Sequence, residues 1–195
     1  MKLNFPNMLS LLRVFISPLF FYFLISENPI LIASSLFLFF IGALTDYFDG
    51  YLARKYEQVS SWGKFMDPLA DKILTTGAFG GFVILEIMPL WMFIIFLMRD
   101  IGTTLLRVIA ERNGMYIETS GTAKWKTFLQ MFLIFYLLFL LFALHCDCNI
   151  FNKEFVENIL FSDFTFTAFL LLTAYTIFTL TEYIVAFSKS LKNKN

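Results

Sequence analysis

Six long apolar stretches follow one another along the chain, at about residues 8–26, 30–54, 61–86, 90–111, 122–144 and 163–187. As a helix rising about 1.5 Å per residue, each can cross most or all of a hydrocarbon layer roughly 30 Å thick. Lipid offers the backbone no hydrogen-bond partners, so a spanning chain must be helical or form a closed barrel. Unbroken runs of this length read as helices, which predicts an all-α integral membrane protein with six transmembrane helices.

Composition supports that reading. Residues are 58% hydrophobic, 27 of them are Phe, and the mean hydropathy is positive, which is too apolar for a water-soluble domain of 195 residues. No stretch is left over for a second domain, so residues 1–195 are read as one membrane domain. Lys2 and Arg13 flank the first apolar run without a small-residue cleavage site after it, which predicts an uncleaved first span. The balanced net charge gives no sign of a nucleic-acid partner.

Prolines and charges order the spans. Pro29 and Pro89 suit first turns of helices, Pro18 falls inside the first span, and Pro68 falls in the early turns of the third. With both termini placed in the cytosol, every Lys and Arg except Lys153 lies on or opens toward the cytosolic half. Trp62, Trp91 and Trp125 lie near span ends, as interfacial anchors do. The reading is a multi-pass protein of the cell (inner) membrane.

Four carboxylates break the apolar pattern where the second and third spans meet. Asp46, Asp49, Gly50 and Ala53 fall at i, i+3, i+4 and i+7; Gly63, Asp67 and Asp71 fall at i, i+4 and i+8. Each set shares one helix face, so two helices joined by a polar turn aim four acids at one cavity open to the cytosol. An ionised Asp at the centre of a membrane helix costs roughly 2.5 to 3.5 kcal/mol, so the four need compensation. Bound divalent cations supply it, and an oxygen-only donor set without His or Cys favours Mg²⁺, Mn²⁺ or Ca²⁺ over Zn²⁺. The plain alternative is a helix pair whose acids only make ion pairs with Arg54, Lys64 and Lys72, yet ion pairing needs neither the small residues nor their spacing.

Asp46 to Asp71 resembles the signature of the CDP-alcohol phosphatidyltransferase family, D-x2-D-G-x2-A-R-x8-G-x3-D-x3-D, at every fixed residue and spacing. The resemblance implies a six-helix enzyme, typically a homodimer. Such an enzyme transfers a phosphatidyl group from CDP-diacylglycerol to an alcohol and releases CMP. It further implies two Mg²⁺ or Mn²⁺ ions on Asp46, Asp49, Asp67 and Asp71, with Asp71 as general base. The CDP moiety would lie against Gly50, Ala53, Arg54 and Gly63.

A second set lies beyond the acids: Arg99, Asp100, Arg107, Lys124, Lys126, Thr127 and Gln130. An Arg inside an apolar span marks a functional pocket, and Arg offers bidentate contacts to phosphate oxygens. This set resembles the branch of the family whose acceptor is glycerol 3-phosphate, with Ala123 where that pattern has Gly. It implies that Arg99, Arg107, Lys124 and Lys126 hold the acceptor phosphate. Asn4 to Asn7, Arg13 and Pro18 resemble that branch's opening, which makes Asn7 and Arg13 possible site residues, although Asn7 is equally a helix cap. Positive-inside anchoring explains Lys124 and Lys126 as well.

Other readings stay open at this point. The acceptor could be serine, inositol phosphate or phosphatidylglycerol, and a divalent-cation transporter is a more distant reading. Transport is disfavoured because the acids cluster in one half, whereas a transporter built from repeats places them in both. His145, Cys146, Asp147 and Cys148 lack the second ligand pair of a structural zinc site and are read as incidental residues of an outer loop.

Overall fold

The computed structural model describes residues 5–55, 61–113, 120–146 and 151–192. They form α1 (Phe5–Leu24), α2 (Pro29–Lys55), α3 (Ser61–Ile84), α4 (Leu90–Arg112), α5 (Gly121–His145), α6 (Lys153–Leu160) and α7 (Asp163–Lys192), with no strand among the described residues. The side chains at 5–7, 9, 10, 46, 47, 49–55, 61–71, 111 and 192 fall outside the description.

Local chemistry sets the helix ends. Asn28 caps α2 through its side-chain oxygen, which accepts the Ile30 N–H at 3.0 Å, and Pro29 takes the first helical position, where a missing N–H costs nothing. Helix α3 ends in a Schellman closure: the Ile87 N–H donates to Phe82 O at 2.9 Å and the Glu86 N–H to Val83 O at 3.1 Å. Glu86 there has φ 59°, a left-handed conformation that usually falls to Gly. Pro18 sits inside α1.

Ring and glycine contacts fix the helix directions. Phe20 meets Phe39 at 5.3 Å between ring centres, and a side chain at Gly42 would meet Ile16, so α1 and α2 are antiparallel. Gly77 lies against Phe20 and Phe21, and Gly81 against Leu24, so α3 runs with α1. Phe79 meets Phe96 at 4.9 Å while Lys72 reaches Asp100, which sets α4 antiparallel to α3. Phe37 meets Phe142 and Phe39 meets Phe135, and Thr122 bonds Glu182, so α5 opposes both α2 and α7. The six long helices therefore alternate in direction, and α1 starts at the same end of the bundle where α7 finishes.

One core runs through the bundle, built from Phe20, Phe39, Phe79, Phe82, Met92, Ile134, Leu137 and Phe169 with their neighbours. Its periphery is apolar too: Phe15, Met98, Phe132, Phe164 and Leu171 are all more than 60% exposed. Exposed apolar surface on this scale is more than a protein in water usually shows, and a lipid bilayer would cover it. Among the described residues, Gly121–His145 and Lys153–Leu191 are long and apolar enough to cross a membrane; Leu11–Leu24, Pro29–Thr45 and Lys72–Ile84 are shorter apolar helices.

The segment 145–162, read from sequence as a loop, contains α6. Asn152 caps it by accepting the Phe155 N–H at 3.2 Å, and Val156 and Leu160 are buried. Helix α6 packs on α5 and α7. His145 ends α5, its Nδ1 2.9 Å from Leu141 O, and Cys146 is buried; Asp147 and Cys148 lie outside the described residues.

Candidate functional site

Helices α2 and α3 carry the four acids on their ends nearest the α1 start. Asp46 and Asp49 belong to α2, Asp67 and Asp71 to α3, and their side chains lie outside the described set, as do those of Gly50, Ala53, Arg54 and Gly63. Helical register relates their backbone positions to the described ones. On α2 the buried positions Ser35, Phe39 and Gly42 lead at helical spacing to residues 46 and 49; on α3, Thr75 and Ala78 lead back to residue 71 and then 67. A Cβ on Gly42 would stand 2.9 Å from Leu74 Cδ2, so α2 and α3 approach closely one turn away. Arg13, fully buried, lies one turn before Ile16, which puts it at the level of residues 46 and 71. Asn7 lies in α1, its side chain outside the description.

Among the described residues no group of three or more His, Cys, Asp or Glu gathers as a metal site. Positions 46, 49, 67 and 71 carry carboxylates, whose oxygen-only chemistry is that of hard divalent cations.

Immediately after Asp71, α3 presents Lys72 to a cavity of about 100 Å³ shared with α4 and α5 and lined by Lys72, Thr75, Arg99, Asp100, Lys126 and Gln130, with Thr127 and Met131. Asp100 holds it together. Its Oδ1 accepts from Arg99 at 3.0 Å and from Lys126 at 3.2 Å, and its carbonyl accepts from the Lys72 ammonium at 3.0 Å. Lys72 also donates to Thr104, and Arg99 reaches Thr179 of α7 at 3.4 Å. Lys126 is only 2% exposed and lies 5.9 Å from the centre of the Phe96 ring. A cation so buried needs its partner, since breaking such a pair costs about 3 to 5 kcal/mol. Three cations and one carboxylate around a small polar space form a cradle for an anion with several oxygens.

The structure thus brings together two of the four residues expected to hold a phosphate. Arg99 and Lys126 line the cavity, whereas Arg107 and Lys124 are exposed and do not. Lys124 stands two residues from Lys126, on another side of α5, and Arg107 stands about two turns beyond Arg99 toward the end of α4.

Thr75, Thr104 and Thr179 were not singled out from sequence, nor was Lys72 as a member of this cavity. From sequence Lys72 figures only as an ion-pair partner for the acids, and its link to α4 depends on how α3 and α4 pack. Its signal was its cost: a Lys within an apolar helix, one turn before Thr75, requires a partner or a pocket.

Comparison with known proteins follows the same lines. A CDP-diacylglycerol–glycerol-3-phosphate 3-phosphatidyltransferase of Bacillus subtilis (strain 168) is 32% identical over 140 residues, covering 66% of this chain and 72% of the relative. A protein of that name from Haemophilus influenzae is 36% identical over 141 residues, 67% of this chain and 73% of the relative. One from Wigglesworthia glossinidia brevipalpis is 40% identical over 147 residues, 71% of this chain and 78% of the relative. The profile of the CDP-alcohol phosphatidyltransferases matches residues 3–188, taking in both the acid-bearing helices and the anion cavity, and the chain belongs to that family.

Proposed function

We propose that this protein transfers the phosphatidyl group of CDP-diacylglycerol to glycerol 3-phosphate, giving phosphatidylglycerophosphate and CMP. The observation that favours a phosphate-bearing acceptor is the cavity of Arg99, Lys126 and Lys72, which begins one residue after Asp71. Its cation-rich wall suits a phosphate-bearing alcohol and offers nothing comparable to serine. The relatives' names point the same way.

In this reading Asp46, Asp49, Asp67 and Asp71 hold two divalent cations, Mg²⁺ or Mn²⁺. Bound there, the ions would offset the pyrophosphate charge and brace the attacking and leaving oxygens. Gly50, Ala53 and Gly63 leave room for the cytidine, and Arg54 holds a phosphate or the nucleotide edge. Arg99, Lys126 and Lys72 grip the acceptor phosphate and aim its free hydroxyl at the donor, while exposed Arg107 and Lys124 draw the anion in. The hydroxyl oxygen bonds to the phosphorus of the phosphatidyl group, the bond from that phosphorus to the CMP oxygen breaks, and the hydroxyl proton passes to Asp71. Arg13 braces the acid cluster from α1, and Asn7 stays a possible contact.

The same proposal makes residues 1–195 one domain of six spans in the inner membrane. Both termini and the site face the cytosol, and the chain pairs as a homodimer. The alternation of the six long helices, with the start of α1 and the end of α7 at one end of the bundle, supports the six-span topology, as does the gathering of Lys and Arg at that end; the homodimer rests on the family resemblance.

Purified protein given CDP-diacylglycerol, Mg²⁺ and one candidate alcohol at a time provides the test. CMP release with glycerol 3-phosphate, and none with serine, inositol phosphate or phosphatidylglycerol, is expected. Release with one of those alcohols and none with glycerol 3-phosphate overturns the assignment.

A further inference from the structure

Arg99, Lys126 and Lys72 come from three different helices, and Asp100 is their shared partner. Its carboxylate takes Arg99 at 3.0 Å and Lys126 at 3.2 Å, and its carbonyl takes Lys72 at 3.0 Å. Arg99 is held a second time, by Thr179, so its guanidinium plane is set from two sides. Long cationic side chains lose much rotamer freedom when they grip a ligand. Here that ordering is already in place before a ligand arrives, which is the condition for tight recognition by flexible groups.

An acid in the wall also tunes the charge of the space. A phosphate monoester carries about −1.5 to −2 near neutral pH, and the carboxylate that Arg99 and Lys126 share holds these two cations side by side to meet it. Without the acid, Arg99 and Lys126 would face each other with no carboxylate between them.

Resting on the acceptor reading above, we propose that Asp100 is the positioning residue of the anion cavity. Its carboxylate acts through Arg99 and Lys126, preorganising them for the phosphate of the acceptor, and so sets acceptor affinity without a part in donor binding. If Asp100 were only a counter-ion for buried Lys126, its loss would lower stability and leave acceptor affinity unchanged in the protein that stays folded.

Asp100→Asn and Asp100→Glu are compared with wild type in detergent or lipid, with folding checked by size-exclusion and thermal denaturation. KM is measured for each substrate under a saturating partner, and inhibition by inorganic phosphate is read alongside. Asp100→Asn should raise the glycerol 3-phosphate KM by on the order of tenfold or more. The phosphate inhibition constant should rise in parallel, while the CDP-diacylglycerol KM stays within twofold of wild type. Asp100→Glu should recover part of the loss. An unchanged acceptor KM in folded Asp100→Asn, or equal shifts in both KM values, overturns the proposal. Where Asp100→Asn does not fold, Asp100→Glu decides alone: its longer arm displaces the carboxylate, and an acceptor KM equal to wild type overturns the proposal just as firmly. Failure of wild type to use glycerol 3-phosphate is a different result, and it removes the acceptor reading together with this inference.

Discussion

Leu24 fills the space that a side chain at residue 81 would need: a Cβ on Gly81 would lie 2.3 Å from Leu24 Cδ2 and 2.9 Å from its Cγ. Both residues are buried, so neither helix can yield without opening the core. Gly81→Ala should therefore destabilise the protein by about 1 to 3 kcal/mol, the usual cost of overpacking. Gly102 on α4 has nothing within 4 Å of its Cβ position, and Gly102→Ala should be neutral or stabilising by about 0.5 to 1 kcal/mol. Thermal denaturation of the two variants in one detergent checks the contrast, which equal shifts would refute.

Neutralising one acid should silence the chemistry while sparing the fold. Asp67→Asn is expected to elute as folded protein with CMP release reduced to near background, and wild type treated with a chelator should behave likewise and recover when Mg²⁺ is restored. Normal release from either preparation would rule out the metal-assisted reading.

The two arginines of α4 should part company. Arg99 lines the anion cavity and Arg107 is exposed outside it. A charge-assisted contact is worth about 1.5 to 3 kcal/mol, so Arg99→Ala should lower kcat/KM for glycerol 3-phosphate by on the order of tenfold to a hundredfold. Arg107→Ala should cost only a few-fold, and that loss should fade as salt rises, because screening weakens long-range attraction. Arg99→Lys should rescue in part, since an ammonium supplies charge without the planar fork. A larger loss at Arg107 than at Arg99 would move the acceptor site.

Topology is open to single-cysteine labelling. Native Cys146 is buried and makes a poor reporter, so a cysteine-free background is preferable. In that background Glu154→Cys, exposed on α6, should react with an impermeant reagent from outside the cell, and Arg112→Cys, exposed at the end of α4, only once the cytosolic side is opened. The reverse pattern would place the acids on the outer face.

The long helices were legible because their apolar runs are bounded by strong stops, such as Asn28-Pro29 and the Met88-Pro89 turn, and the observed ends lie within a few residues of the expected ones. Helix α6 was not legible: it is short, and its buried residues Val156 and Leu160 stand among Glu154, Glu157 and Asn158. The spacing of Asp46, Asp49, Asp67 and Asp71 was readable because it is a property of each helix alone. Membership of the anion cavity was readable only in part. Arg99 and Arg107 look alike in sequence, as do Lys124 and Lys126, and what separates them is which side of α4 or α5 meets its neighbours. Lys72 shows the same limit, since one residue of helical rotation from Asp71 turns it toward the Asp100 carbonyl.

The tight turns at 25–28 and 85–89 also bear on how the chain is made. Each carries one acidic side chain, Glu27 or Glu86, and no Lys or Arg. Their backbone groups are already paired locally, as in the bonds from Ile25 to Phe21 and from Met88 to Phe82. Helices α1 with α2, and α3 with α4, can thus enter the bilayer during synthesis as hairpins, with little charge to drag through lipid. In the orientation proposed above, the cationic ends would stay behind on the ribosome's side, together with the soluble acceptor.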